Sequence, residues 1–131
     1  SVAMMYGFLQ QFHSNLTFYI PDRYNEGYGV SRQGIDYAAT HGISLIICLD
    51  CGIKSGELVS YAQTLGIDFV ICDHHRPDEF LPPAVAVLNP KRVDCPYPYK
   101  DLAGCGIGFK FLQAFCTQNQ LSLEERLYPF L

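Results

Sequence analysis

At 131 residues, with 49% of them apolar and 17% charged, the chain has the size and composition of one globular domain able to bury a core without disulfide staples. A formal net charge of −4 argues against strong nonspecific attraction to nucleic acid, although it leaves room for a local basic patch. No apolar run approaches the roughly 20 residues of a membrane span and no basic stretch precedes an apolar one at the N-terminus, so the chain reads as soluble, unexported and cytoplasmic.

VAMMYGFLQQF (2–12) carries helix formers with few breakers and reads as a helix. LTFYIP (16–21) reads as a strand ended by Pro21. A glycine- and charge-rich loop, PDRYNEGYGV, follows it, and Ser31 then makes an N-cap for a helix running to about His41, with Gly42 as its stop. ISLIICLD (43–50) is a continuous apolar run, as expected of a strand covered on both faces. After the CGIKS turn, GELVSYAQTL (56–65) reads as a helix ended by Gly66, and IDFVICD (67–73) as a second fully apolar strand. AVAVLNP (84–90) is a shorter strand, and the loop KRVDCPYPYKD leads to the helical run AGCGIGFKFLQAFCTQ (103–118). LSLEERLYPFL reads as a final helix, capped at Ser122 with Glu125 three residues later. Strands alternating with helices predict β-α-β units, hence an α/β fold with a mostly parallel sheet and helices on both faces. No internal repeat or low-complexity linker divides the chain.

The six cysteines do not make a disulfide framework. Cys48 and Cys72 lie inside apolar runs and Cys116 on a helical pattern, while Cys51, Cys95 and Cys105 fall in predicted turns. Cys48-x-x-Cys51 has redox-motif spacing but no second pair to complete a zinc site, so reduced, structural cysteines are expected ahead of a metal or redox role.

Chemistry gathers where the strands stop. In open parallel sheets ligands bind at the carboxyl ends of the strands. LTFYIP delivers Asp22 and Arg23, LIICLD delivers Asp50, FVICD delivers Asp73, His74 and His75, and AVLNP delivers Asn89 and Lys91. Carboxylate and imidazole together suit a transition metal such as manganese, iron or zinc. Asp50 and one histidine could share an ion, since neighbouring strands lie about 5 Å apart. The competing reading is a hydrogen-bonded polar turn, with Asp50 capping the turn before residue 54. Adjacent histidines point in different directions, so at most one is expected on the same ion. Gly104–Gly108 at a helix start suits either phosphate binding by free N–H groups or close helix packing. Tyr24, Tyr28, Tyr97 and Tyr99 lie in predicted loops, where they could stack on a single strand or simply pack.

IPDRYNEGYG, LIICLDCGIKS, FVICDHH, PPAVAVLNPK and CPYPYKDLAGCGIGFKFL, in that order and at compatible spacing, resemble the DHH phosphoesterase superfamily, and within it the RecJ-type single-stranded-DNA-specific exonucleases. The resemblance implies a Rossmann-like DHH domain with a two-ion site for Mn2+ or Mg2+ clamping the scissile phosphate and an activated water. It makes Asp50 a metal ligand that bridges both ions and His74 a metal ligand. His75 is then a contact to the phosphate or an orienter of water, and Asp73 the partner that orients a histidine. Arg23 becomes a phosphate contact, against an alternative pairing with Glu26, and Lys110 with the Gly104–Gly108 turn shapes the substrate face. The family's first motif, Asp-x-Asp-x-x-Gly, and its fourth-motif aspartate have no counterpart here. Residues 1–131 therefore read as a partial catalytic domain, incomplete at both ends, inactive alone or nearly so, and prone to self-association through exposed sheet edges. The implied activity is metal-dependent 5′ to 3′ hydrolysis of single-stranded DNA in recombination and repair. The alternatives are a phosphoesterase for short oligonucleotides or small nucleotide phosphates, and a non-catalytic nucleic-acid-binding module.

Overall fold

The computed structural model describes all residues from Ser1 to Leu131. The elements are α1 (Val2–Leu9), α2 (Arg32–Thr40), β1 (Leu45–Leu49), α3 (Gly56–Thr64), β2 (Asp68–Cys72), β3 (Ala86–Leu88), α4 (Gly104–Gln118) and α5 (Leu123–Arg126), with a 3-10 turn at Tyr128–Phe130. The three strands form one parallel sheet in the order β1-β2-β3. Leu45 pairs with Asp68 and Leu49 with Cys72, while Val70 pairs with Ala86 and Cys72 with Leu88.

The continuous apolar runs are explained by what covers them. Cys48 of β1 and Phe69 and Ile71 of β2 point to one face, where they pack with Ile35 and Ala38 of α2 and Val59 and Ala62 of α3. The alternate residues point the other way: Val70 and Cys72 pack on Ile107 of α4, with Ile47 and Leu49 alongside. On that second face α1 and α4 meet through Met5, Phe8, Leu112 and Cys116, and Leu127 closes the cluster. Period-two alternation thus sends apolar side chains into two cores at once, each buried Ile or Phe contributing about 1.5–3 kcal/mol. No helix is long and apolar enough to cross a membrane.

The caps form where their residue types place them. Ser31 accepts a hydrogen bond from the Gly34 N–H, and Ser122 from the Glu125 N–H. Three elements differ from expectation, one being the final helix, which covers only Leu123–Arg126 before Pro129 enters a separate 3-10 turn. The first helix stops at Leu9 rather than at residue 12, and the Gln11 side chain instead donates to the Arg126 carbonyl at 3.0 Å. Residues 16–21 form no strand. Their apolar composition is strand-like, but no strand lies alongside to pair their backbone groups, and Phe18 and Ile20 remain 56% and 69% exposed. The segment is held by side chains: Phe18 meets Tyr6 edge-on at 5.4 Å, and the Tyr19 hydroxyl donates to Glu26 at 2.6 Å. Of the cysteines expected in turns, Cys105 lies in α4. All six thiols are free, with Cys48, Cys72 and Cys116 buried.

Candidate metal centre

At the carboxyl edge of the sheet, β1 hands over to Asp50 and β2 to Asp73, and the ladder continues one residue past each strand. The Asp50 N–H donates to the Cys72 carbonyl at 2.8 Å, and the Asp73 N–H to the Leu88 carbonyl at 3.1 Å. The two aspartates then do different work.

Asp73 is 1% exposed and fully engaged. Its Oδ2 accepts the Ile53 N–H at 3.0 Å, tying the turn after β1 to the end of β2. Its Oδ1 accepts the His74 N–H at 2.8 Å, the His75 N–H at 3.2 Å and Nδ1 of His75 at 2.6 Å. Burial pushes this carboxyl up, but the hydrogen bonds from Ile53 and His75 outweigh it and hold the group below the usual carboxylate range. The cap expected of Asp50 is supplied by Asp73. Because Asp73 occupies Nδ1 of His75, the ring's Nε2 is the nitrogen left free. Asn89, 4% exposed at the end of β3, fixes the same histidine from the other side by donating to its carbonyl at 2.8 Å.

Asp50 has no such structural employment. It stands in the left-handed region at φ 65, and its Oδ1 is shut off from solvent without a hydrogen-bond partner. Nε2 of His74 approaches that oxygen to 3.0 Å, close enough for an ion pair but not aligned as a hydrogen bond. One ligand atom from each of Asp50, His74 and His75 lies within 4.8 Å of the others. This corrects the expectation that adjacent histidines diverge. Strand alternation stops at Cys72, and the turn folded around the Asp73 carboxylate brings the two imidazoles to 4.7 Å between centroids.

Gly104 explains the glycine-rich start of α4. A Cβ there would lie 2.6 Å from Cγ and 2.8 Å from Cβ of Asp50, so only glycine lets the helix seat against that side chain. The close-packing reading of Gly104–Gly108 holds at this end, and the helix N-terminus also favours the negative carboxylate.

The remaining candidates are spread around this cluster. Arg23 lies 5.7 Å from the centre of the Tyr28 ring, and Glu26 is taken by Tyr19, Ser31 and the Asp22 N–H, so the alternative Arg23–Glu26 pairing does not form. Lys110 bonds Gln113 at 2.9 Å and lines a cavity of about 330 Å³ with Asn89, Arg92 and Tyr97, apart from the Asp50–histidine cluster. Two residues take roles that the sequence reading did not give them. Tyr28 donates its hydroxyl to the Asp50 carbonyl at 2.9 Å, and Asn89, noted only as a strand end, braces His75. Asparagine directly after an apolar strand was the available signal for the second; the first was noted only as a loop aromatic able to stack or pack, and nothing local pointed to Asp50 as its partner.

Carboxylate plus imidazole, with one buried oxygen unpaired, is a donor set that fits a divalent transition metal. Known proteins are similar to this chain in sequence and in fold. A family model described as the DHH family, N-terminal domain, matches residues 1–129. The single-stranded-DNA-specific exonuclease RecJ of Bacillus subtilis (strain 168) is 42% identical over 114 residues, which are 87% of this chain and 14% of that protein. RecJ of Escherichia coli (strain K12) is 41% identical over 115 residues, 86% of this chain and 20% of that protein. The chain thus spans only 14% to 20% of the length of these relatives. A crystal structure of exonuclease RecJ bound to manganese superposes with a TM-score of 0.80 at 26% identity, over 92% of this chain and 30% of that one.

Proposed function

The chain belongs to the DHH family, and from that premise we propose that it forms part of the catalytic centre of a metal-dependent nuclease that hydrolyses single-stranded DNA from its 5′ end. The observation that carries the reading is Asp50: a carboxylate with a buried, unpaired oxygen, held in a left-handed turn 3.0 Å from Nε2 of His74. A purely structural aspartate at a strand end would cap a turn, as Asp73 does.

In this reading Asp50 and His74 hold a manganese or magnesium ion. The ion, when bound, supplies positive charge against the phosphoryl oxygens and a lowered pKa for water. His75 lies in the same cluster, and Asp73 holds its Nδ1 and so fixes the ring for a contact to phosphate or water. Arg23, an exposed guanidinium in the glycine-rich loop, supplies a contact for the substrate's phosphates, and Lys110 contributes positive charge to the separate cavity it lines with Asn89 and Arg92. The relatives named single-stranded-DNA-specific exonucleases, and the likeness to an exonuclease bound to manganese, support this choice of substrate and ion. The proposal extends to a cytoplasmic setting, where an enzyme that hydrolyses DNA would meet its substrate. The outer edge of β1, where Leu45 is 47% exposed, is the surface for self-association.

Manganese titration by calorimetry on this chain and on His74→Ala tests the reading. Binding by the parent that weakens at least tenfold in the variant is the expected result, as loss of a metal ligand requires. Equal binding by both, or none by the parent, overturns the metal assignment. Labelled single strands of graded length then decide the substrate: shortening of long strands supports the exonuclease, and turnover confined to the shortest supports a phosphoesterase of small nucleotides.

A further inference from the structure

We infer that Tyr28 is a positioning residue for this centre, its hydroxyl fixing the Asp50 peptide and its ring bracing His75. The inference rests on the metal reading above for its purpose, but not for its geometry. Asp50 sits at φ 65, a conformation that costs a residue with a Cβ about 1–2 kcal/mol and must be held by its surroundings. Its N–H is held by the sheet, through the Cys72 carbonyl at 2.8 Å. Its carbonyl is held by Tyr28, whose hydroxyl donates at 2.9 Å from 22 residues upstream. Both peptide groups around the strained residue are therefore pinned, one by the ladder and one by the loop. Without the hydroxyl, the Asp50 carbonyl loses this tether, and the left-handed φ that aims the carboxylate loses its support on that side.

The same side chain touches the other half of the centre. The Tyr28 ring meets the His75 ring edge-on, with centroids 6.2 Å apart and planes at 77°. Gly27 and Gly29, at φ 81 and 89, bend the loop on either side of Tyr28, and Gly29 comes close enough to Cys51 that an added Cβ would touch at 3.4 Å. Packing does not explain the residue, since 62% of Tyr28 is exposed. An exposed aromatic whose one polar atom reaches the carbonyl of the strained, metal-facing residue is placed for that contact.

Tyr28→Phe removes the hydroxyl and keeps the ring; Tyr128→Phe, in the 3-10 turn at 128–130, serves as the control. Two readouts are taken on the whole chain: manganese affinity by calorimetry, and metal-free amide chemical shifts of Asp50, Cys51 and Gly52. We expect Tyr28→Phe to bind manganese roughly 2- to 10-fold more weakly, the worth of one hydrogen bond, with a melting temperature within about 2 °C of the parent. Its amide shifts should change at residues 50–52, and the control should change neither readout. If the parent binds manganese and Tyr28→Phe binds equally well, the inference falls while the metal reading stands. If the parent binds no manganese, the metal reading falls, and the amides decide the geometry: shifts at residues 50–52 uphold the contact, and their absence refutes it.

Discussion

Replacing Asp73 with asparagine preserves shape and volume while changing the one buried carboxylate that joins two loops. Its two oxygens accept the Ile53, His74 and His75 N–H groups and Nδ1 of His75. An asparagine presents one oxygen and one NH2. Its better orientation keeps the oxygen toward the histidines and turns the NH2 against the Ile53 N–H, leaving a buried donor unpaired at about 1–3 kcal/mol. The surviving bonds also lose their charge assistance, while relief of the buried charge offsets part of that loss. A net destabilisation of about 3 kcal/mol follows, or roughly 10 °C in melting temperature for a domain of this size. The pH dependence gives a second handle. Because the folded carboxyl lies below its ordinary value, its contribution is fully present above about pH 4 and drains away as pH falls through the folded pKa. Urea denaturation of both proteins between pH 7 and pH 3 should therefore show the gap narrowing only in the acid range. A variant within about 0.5 kcal/mol of the parent at pH 7, or a gap that stays constant to pH 3, would refute the assignment of Asp73 as the anchor.

Asp50→Asn should behave in the opposite way. Asparagine tolerates the left-handed conformation and no hydrogen bond of the Asp50 carboxylate is lost, so thermal unfolding should stay within about 2 °C of the parent while manganese affinity falls at least tenfold. A large loss of stability would mean that the carboxylate is structural after all. Gly104→Ala puts a Cβ 2.6 Å from Cγ of Asp50, so α4 must back away or the carboxylate must turn. Overpacking of about 1–3 kcal/mol outweighs the helix-propensity gain of about 1 kcal/mol, and calorimetry should find both stability and manganese affinity reduced. A more stable variant with unchanged affinity would show that the helix start has slack.

Much of this was legible in the residues. LIICL and DFVIC could be read as doubly covered strands because burial on both faces leaves no polar alternation. Ser31 and Ser122 announced their helices because capping is a contact over three residues, within reach of local chemistry. Asp50, Asp73, His74 and His75 stood out because polar groups closing apolar strands belong to one sheet edge. The same local logic misread residues 16–21, since strand propensity cannot say whether a partner will lie alongside.

What the sequence determined by itself was therefore the inventory: which strands, which caps, which carboxylates and imidazoles come to the edge. The tertiary structure decided how that inventory is used. It gave Asp73 to Ile53 and His75, left the buried oxygen of Asp50 unpaired, seated α4 against Asp50 through Gly104, and carried Tyr28 to the Asp50 carbonyl. Asp73–Ile53, Gly104–Asp50 and Tyr28–Asp50 join positions 20 or more residues apart. Their partners depend on strand register and on how closely a helix can approach, and both are settled only when the whole chain packs.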